Sequence, residues 1–125
     1  DVATILPEGL IIPAMLPRDD VRDTLLSPFA TSISALPQNA VLGTSSLRRT
    51  VQIKHLRPDI NVVNYRGNVQ RRLEKLEGGE VGATLLAQAG LDRLAISHPY
   101  ATPISVDEML PAVAQGAIGM ECRSA

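Results

Sequence analysis

The sequence has no tryptophan, one phenylalanine and two tyrosines among its 125 residues. Proteins that hold single-stranded nucleic acid need aromatic platforms in a basic groove. So few rings disfavour that class. A single cysteine, Cys122, excludes an intrachain disulfide and fits a reducing compartment. Two isolated histidines, His55 and His98, together with that cysteine, make no metal-ligand spacing. No metal site is expected. No apolar run approaches the roughly 20 residues of a membrane span, so no membrane partner is expected either. The opening residues, Asp1 to Thr4, lack a methionine and a basic-then-apolar signal pattern. The sequence reads as soluble, cytosolic and cut from a longer chain.

What the chain does have is uneven charge. The net value is only −1, from 12 basic and 13 acidic residues. Residues 43–75, however, carry eight basic side chains against two acidic ones, a local +6, and the remainder carries −7. A cationic middle within an acidic chain points to one anion-binding face. Ten of the twelve cations are arginine. Arginine presents a planar fork to carboxylate or phosphate, whereas lysine presents a point charge.

The pattern predicts an α/β fold with a mainly parallel sheet flanked by helices. Leu10 to Leu16 reads as a strand, with Pro13 marking an edge or an irregularity. Thr24-Leu25-Leu26 is another short strand, and residues 27–39 read mostly as loop or frayed helix. Ala40 to Gly43 is a strand. Ser45 or Ser46 caps a helix that runs to about Arg57 and stops at Pro58. Leu47 and Val51, with Lys54 or His55, are expected to share one of its faces. Ile60 to Tyr65 is a strand, and Asn68 to Leu76 a helix with Val69, Leu73 and Leu76 on one side, closed by Gly78-Gly79. Val81 to Ala87 is a further strand. A short helix passes through Leu91 and Leu94, a loop surrounds His98-Pro99, and another helix is expected near Met109-Leu110. Ile118 to Cys122 is the last strand, with Cys122 a small buried side chain.

Ligands of such sheets bind beyond the carboxyl ends of the strands. Gly43 to Arg49 ("GTSSLRR") follows one such end, Arg66-Gly67-Asn68 a second with Arg72 close behind, and Arg93 a third. A helix start favours an anion through its free N–H groups and dipole. Thr44, Ser45 and Ser46 add hydroxyls, while Gly43 and Gly67 allow close approach or positive φ. Neither a P-loop nor a dinucleotide fingerprint is present. Several separate carboxylates or phosphates therefore suit the rim better than a nucleotide does. Arg48, Arg49, Arg66 and Arg72 are the candidate binders. Arg57, Arg71, Lys54 and Lys75 read as solvated helix positions, and His55 and His98 as surface or packing residues. No Ser/His/Asp set stands in a recognisable context. The residues by themselves lead to an α/β module with a polyanion site.

The stretches "GTSSLRR" and "RGNVQRRLEKL" resemble the porphobilinogen deaminases, also called hydroxymethylbilane synthases. The resemblance continues through "LPRDDVRDTLLS", "LLAQAGLDRL" and "LPAVAQGAIGMECR", so it covers essentially the whole chain. It implies a transferase that joins four porphobilinogen molecules, with loss of ammonia, into the linear tetrapyrrole hydroxymethylbilane. Growth would occur on a dipyrromethane cofactor attached to a cysteine. Each pyrrole bears an acetate and a propionate, so the growing oligopyrrole is a chain of carboxylates.

By the same resemblance, Ser46, Arg48 and Arg49 hold cofactor carboxylates. Arg66 and Arg72 stand beside the cofactor and the incoming pyrrole, and Arg93 takes a substrate carboxylate. Thr44, Ser45, Gly67 and Asn68 belong to the same loops, and Gln115 lies near the site in the return segment. Asp1 matches the catalytic aspartate, which bonds pyrrole N–H groups, stabilises the azafulvene cation and assists proton transfer. Cys122 does not match the cofactor cysteine, which is expected outside this chain. The resemblance implies one lobe of a two-domain architecture like that of type II periplasmic binding proteins. Residues 1–18 would be the tail of domain 1 and its hinge, 19–110 domain 2, and 111–125 a return segment and strand of domain 1. The complete enzyme is expected to be a monomer in the cytoplasm or a plastid, and the 125 residues alone to be inactive. A non-enzymatic anion-binding module of solute-receptor type is the competing expectation.

Overall fold

The computed structural model describes residues 3–125. Asp1, and with it the catalytic assignment, lies outside the described residues. Ten elements follow one another. They are β1 (Leu10–Met15), β2 (Asp23–Leu26), β3 (Val41–Gly43), α1 (Leu47–Leu56), β4 (Asn61–Val63), α2 (Val69–Glu77), β5 (Ala83–Ala87), α3 (Gln88–Arg93), β6 (Ala101–Pro103) and β7 (Gly119–Arg123). Five strands form one sheet in the order β4-β3-β5-β2-β6, and β1 pairs with β7 in a separate ribbon.

The sheet is mixed, which corrects the expectation of a mainly parallel one. β3 runs parallel to β4 and β5, as short strand–helix–strand links require. β2 and β6 run antiparallel to this group. β6 lies in what reads as a loop, because its short Ala-Thr-Pro run has no alternation to announce it. The reversal of β2 determines where its first residue lies. It carries the start of β2 to the edge where β3, β4 and β5 end, and pairs Asp23 with Ala87.

Two apolar clusters sandwich the sheet. Leu25 and Leu85 are register partners and pack with Leu42, Ile53 and Ile60 on the α1 side. Leu26 and Leu86 point the other way and meet Leu73, Leu76 and Leu91 of α2 and α3. This is the period-two alternation of a strand covered on both faces. Each fully buried leucine contributes about 2 kcal/mol. The loop between β2 and β3 is tied to the core by Ile33 and Leu36. Arg57 holds that loop from below. It donates to the carbonyls of Ile33, Ser34 and Leu36 and pairs with Asp59 at 2.7 Å. It is a structural fastener, not a solvated helix end. Lys54 likewise donates to the carbonyls of Pro58 and Ile60 in the turn after α1.

The rotation of α1 is set by an ion pair, and two further expectations, a helix near Met109 and a buried Cys122, are corrected. In α1 the buried residues are Arg49 and Ile53, while Leu47 and Val51 are exposed. The ion pair lies under the first turn and is described below. Residues around Met109 form a turn, not a helix, anchored by Leu110 N–H donating to Gln52 at 2.7 Å. Cys122 is exposed, because no element packs over the β1–β7 ribbon among the described residues. Pro13 does mark an irregularity, since the ribbon register shifts between Ile11 and Ala14.

Candidate anion site at the sheet edge

The edge at which β3, β4 and β5 end is built by two loops locked together. The loop from β3 into α1 contains Thr44, Ser45 and Ser46. Thr44 N–H donates to Val63 of β4 at 3.0 Å, and its hydroxyl accepts the Ser46 N–H at 3.2 Å. Ser45 Oγ bonds the Asn64 side chain and accepts the Tyr65 N–H. Ser46 is the N-cap of α1 and accepts from Arg49 N–H at 3.4 Å. Gly43 is required here: a Cβ would stand 2.6 Å from the Tyr65 ring. The buried Tyr65 in turn donates its hydroxyl to the Arg72 carbonyl, so the two loops share one packed plug.

The second loop supplies Arg66, Gly67 and Asn68. Gly67 has φ +135°, a conformation that a side chain would strain. Asn68 is the N-cap of α2, accepting from Arg71 N–H at 2.8 Å. Arg72 donates its Nε to the Gly67 carbonyl at 2.8 Å. Burial first, and then the charge of Arg49, push the Arg72 guanidinium below its ordinary pKa. Arg66 is exposed and has no hydrogen-bond or ion-pair partner among the described residues.

Arg48 and Arg49 converge on one carboxylate. Asp23 is completely buried. Its Oδ2 accepts Arg48 Nη1 at 2.6 Å, and its Oδ1 accepts Arg49 Nη2 at 2.7 Å and Nε at 3.1 Å. Gln115 donates to Asp23 Oδ1 at 3.1 Å and to the Val21 carbonyl at 2.8 Å. Burial pushes the Asp23 carboxyl up, but the hydrogen bond from Arg48 and the charge of Arg49 outweigh it and hold the group below its ordinary value. Arg49 also reaches the Leu85 carbonyl at 3.1 Å, and Arg48 the Leu110 carbonyl at 2.6 Å.

Arg93 is placed differently. It pairs with Asp19 at 2.7 Å and donates to the Gly116 carbonyl at 2.9 Å, where the ribbon joins the sheet. Arg18 joins the same junction through the carbonyls of Val113 and Gln115. Arg48, Arg49 and Arg72 thus stand in the first turns of α1 and α2, next to the loop that carries Arg66, while Arg93 stands at the junction. Arg71 pairs only with Glu74 on the exposed face of α2. No group of metal-binding side chains occurs among the described residues. At the opposite sheet edge lies an open apolar groove of about 670 Å³, lined by Phe29, Val41, Leu76 and Tyr100, with Glu77 and Glu80 and no basic side chain. Its charge is wrong for a polyanion.

A family model described as "Porphobilinogen deaminase, dipyromethane cofactor binding domain" matches residues 1–125. The chain belongs to the porphobilinogen deaminase family. It is 57% identical over 124 residues to the chloroplastic porphobilinogen deaminase of Oryza sativa subsp. japonica, covering 99% of this chain and 35% of that protein. It is 56% identical over 124 residues to the porphobilinogen deaminase of Paracoccus denitrificans, covering 99% of this chain and 40% of the relative. For the chloroplastic enzyme of Pisum sativum the identity is 56% over 125 residues, with 99% and 34% covered. The chain therefore spans well under half the length of these porphobilinogen deaminases. All three carry the deaminase name, and none supports the solute-receptor alternative.

Sequence reasoning missed Asp23 and Tyr65. A carboxylate opening the otherwise apolar run "DTLL" was a usable signal for Asp23, since a charge at the head of a buried strand demands a partner. Tyr65 carried none, because its role depends on the gap that Gly43 leaves.

Proposed function

We propose that this chain is the arginine-bearing lobe of a porphobilinogen deaminase, a transferase that links four porphobilinogen molecules into hydroxymethylbilane with loss of ammonia. The observation that carries the reading is the gathering of Arg48, Arg49, Arg66 and Arg72 where two interlocked loops lead into α1 and α2 at one sheet edge, with Arg66 unpartnered among the described residues. A dipyrromethane with its acetate and propionate groups fits this donor set, because it is a small cluster of carboxylates meeting a cluster of guanidinium forks. Arg66 and Arg72 would hold it together with Arg48, Arg49 and the Ser46 hydroxyl. When bound, the cofactor supplies the anchored rings to which new pyrroles are added.

The chain's own residues then do three things. The guanidinium groups fix ring carboxylates, and with them ring orientation, which lowers the entropy cost of each coupling. The rigid loops of Thr44, Ser45, Gly67 and Asn68 keep those donors preorganised. Asp1 would accept the pyrrole N–H and face the positive charge left when ammonia departs, the electrostatic and proton-transfer role that the resemblance assigns it. On this reading Arg93 either leaves Asp19 to take a substrate carboxylate or serves the ribbon junction.

We place the attachment cysteine outside these 125 residues and the complete protein, a monomer, in the cytoplasm or a plastid. Residues 1–18 and 111–125 are read as belonging with a neighbouring domain, and residues 19–110 as a lobe of their own. The test is incubation of the complete protein with porphobilinogen, followed by acid cyclisation and detection of uroporphyrin I. Porphobilinogen left unconsumed by the complete protein would overturn the proposal.

A further inference from the structure

We propose that Asp23 is a positioning residue of the anion site, turning the Arg48 and Arg49 guanidinium groups to one rim and leaving the pair a single net positive charge. The inference rests on reading that rim as a carboxylate binder. Successive residues of an α-helix diverge by about 100° and do not normally face one object. Here both side chains reach the same buried carboxylate, which β2 delivers beneath the first turn of α1. One anion against two cations leaves +1 for a ligand.

The donor inventory shows how the pair divides its work. A guanidinium has five N–H groups. Arg48 commits both protons of Nη1, to Asp23 and Leu110, and both of Nη2, to Asp23 and Gln115. Only its Nε is left. An arriving carboxylate gains Arg48 by replacing the Leu110 carbonyl or the Gln115 side chain, both neutral acceptors, while the charged bond to Asp23 persists. Arg49 makes one bond from each nitrogen, keeps one proton on each Nη, and is nearly buried. Asp23 therefore acts as the fixed pivot, Arg49 as the static donor and Arg48 as the donor that exchanges partners. Gln115 touches Asp23 and Arg48 together, which links the return segment to the same pivot.

The test uses the complete protein carrying Asp23→Asn, with two readouts on the folded fraction: the share of molecules carrying covalent cofactor by intact mass, and KM against kcat for porphobilinogen. The expected result is at least a fivefold fall in cofactor loading or at least a tenfold rise in KM, with kcat of the loaded molecules within about threefold of the parent. A purely structural Asp23 would lower the melting temperature and leave both loading and KM of the folded fraction unchanged, which would overturn the proposal. Should Asp23→Asn fail to fold, Gln115→Leu decides, because it keeps both ion pairs and removes one contact to the pivot. At least a threefold rise in KM or an equal fall in loading supports the role, and parental values of both overturn it. A parent protein that neither carries the cofactor nor consumes porphobilinogen refutes the functional reading itself, a result distinct from an active parent with an indifferent variant.

Discussion

Arg49 donates to Asp23 from both Nη2 and Nε, at 2.7 and 3.1 Å, inside a site where the carboxylate has no solvent exposure at all. Removing Arg49 strips the buried carboxylate of one of its two cationic partners while Arg48 still holds Oδ2, and losing a hydrogen bond between charged groups costs about 1.5–3 kcal/mol. Arg49→Ala in the complete protein should therefore lower unfolding stability by that amount, measured by urea denaturation. A loss below about 1 kcal/mol would mean that water reaches Asp23 in solution.

The same pair sets a pH dependence. Asp23 is held below its ordinary value of 3.8 by Arg48 and Arg49 despite its burial, and Asp59 is held low by Arg57. For a carboxylate whose folded pKa is depressed, the stabilisation is present above the unfolded pKa and is lost as pH falls through the folded one. The melting temperature should accordingly vary little with these groups from about pH 7 to pH 5 and fall below about pH 4. Replacing Asp23 by Asn should lower stability at neutral pH and flatten its acid dependence. An acid branch unchanged by the substitution would assign it to other carboxylates.

The four candidate arginines should not behave alike. Arg66 is exposed and unpartnered among the described residues, so Arg66→Ala should change stability by no more than about 0.5 kcal/mol. On the proposed function it should still cut cofactor loading or kcat/KM at least tenfold. Arg48→Ala should do both kinds of damage, because Arg48 holds Asp23 and the Leu110 carbonyl as well as any ligand. Paired measurement of melting temperature and cofactor mass on each variant checks this ordering. Equal stability losses for Arg48→Ala and Arg66→Ala would contradict it.

That contrast also marks what could be read in the sequence. The strand–turn–helix order around residues 40–77 was legible because caps, glycines and periodicity all agree there, from Ser46 and Asn68 to Gly78. That Arg48, Arg49, Arg66 and Arg72 follow strand ends at one sheet edge was legible from the strand order, whereas Arg93 lies on Asp19 at the ribbon junction. What was hidden depended on long-range pairing. Nothing local says that β2 reverses, so nothing local says that Asp23 lies under Arg48 and Arg49. Leu47 and Val51 read as one face of α1, but nothing local says that this face is exposed because the ion pair turns Arg49 inward. Cys122 reads as buried from its apolar neighbours, but a two-stranded ribbon has no second layer to cover it.

Gly43 gives a steric prediction. A methyl group there would sit 2.6 Å from Tyr65 Cγ and 2.7 Å from Cδ2. Tyr65 cannot retreat cheaply, since its backbone N–H is held by Ser45 and its hydroxyl by the Arg72 carbonyl. Gly43→Ala should cost about 1–3 kcal/mol as overpacking, seen as a lower melting temperature. It should also disturb the anion loop. The double variant Gly43→Ala, Tyr65→Leu should recover part of the stability, because the smaller side chain frees the space. No recovery would place the damage in the backbone of the loop instead.

On the proposed function, Asp1 serves the chemistry apart from binding. On that reading the arginines hold ring carboxylates, but none of them can accept a proton or face a developing cation favourably. A carboxylate can do both, and such groups contribute about 10²–10⁴-fold to proton-transfer steps. In the complete protein Asp1→Ala should therefore lower kcat at least a hundredfold while folding and melting temperature stay at the parental level. Asp1→Glu should retain more activity than Asp1→Ala, because the charge persists at a longer reach. The measurement is single-turnover release of ammonia from porphobilinogen by protein already carrying its cofactor. Parental rates in Asp1→Ala would move the acid–base role to another carboxylate.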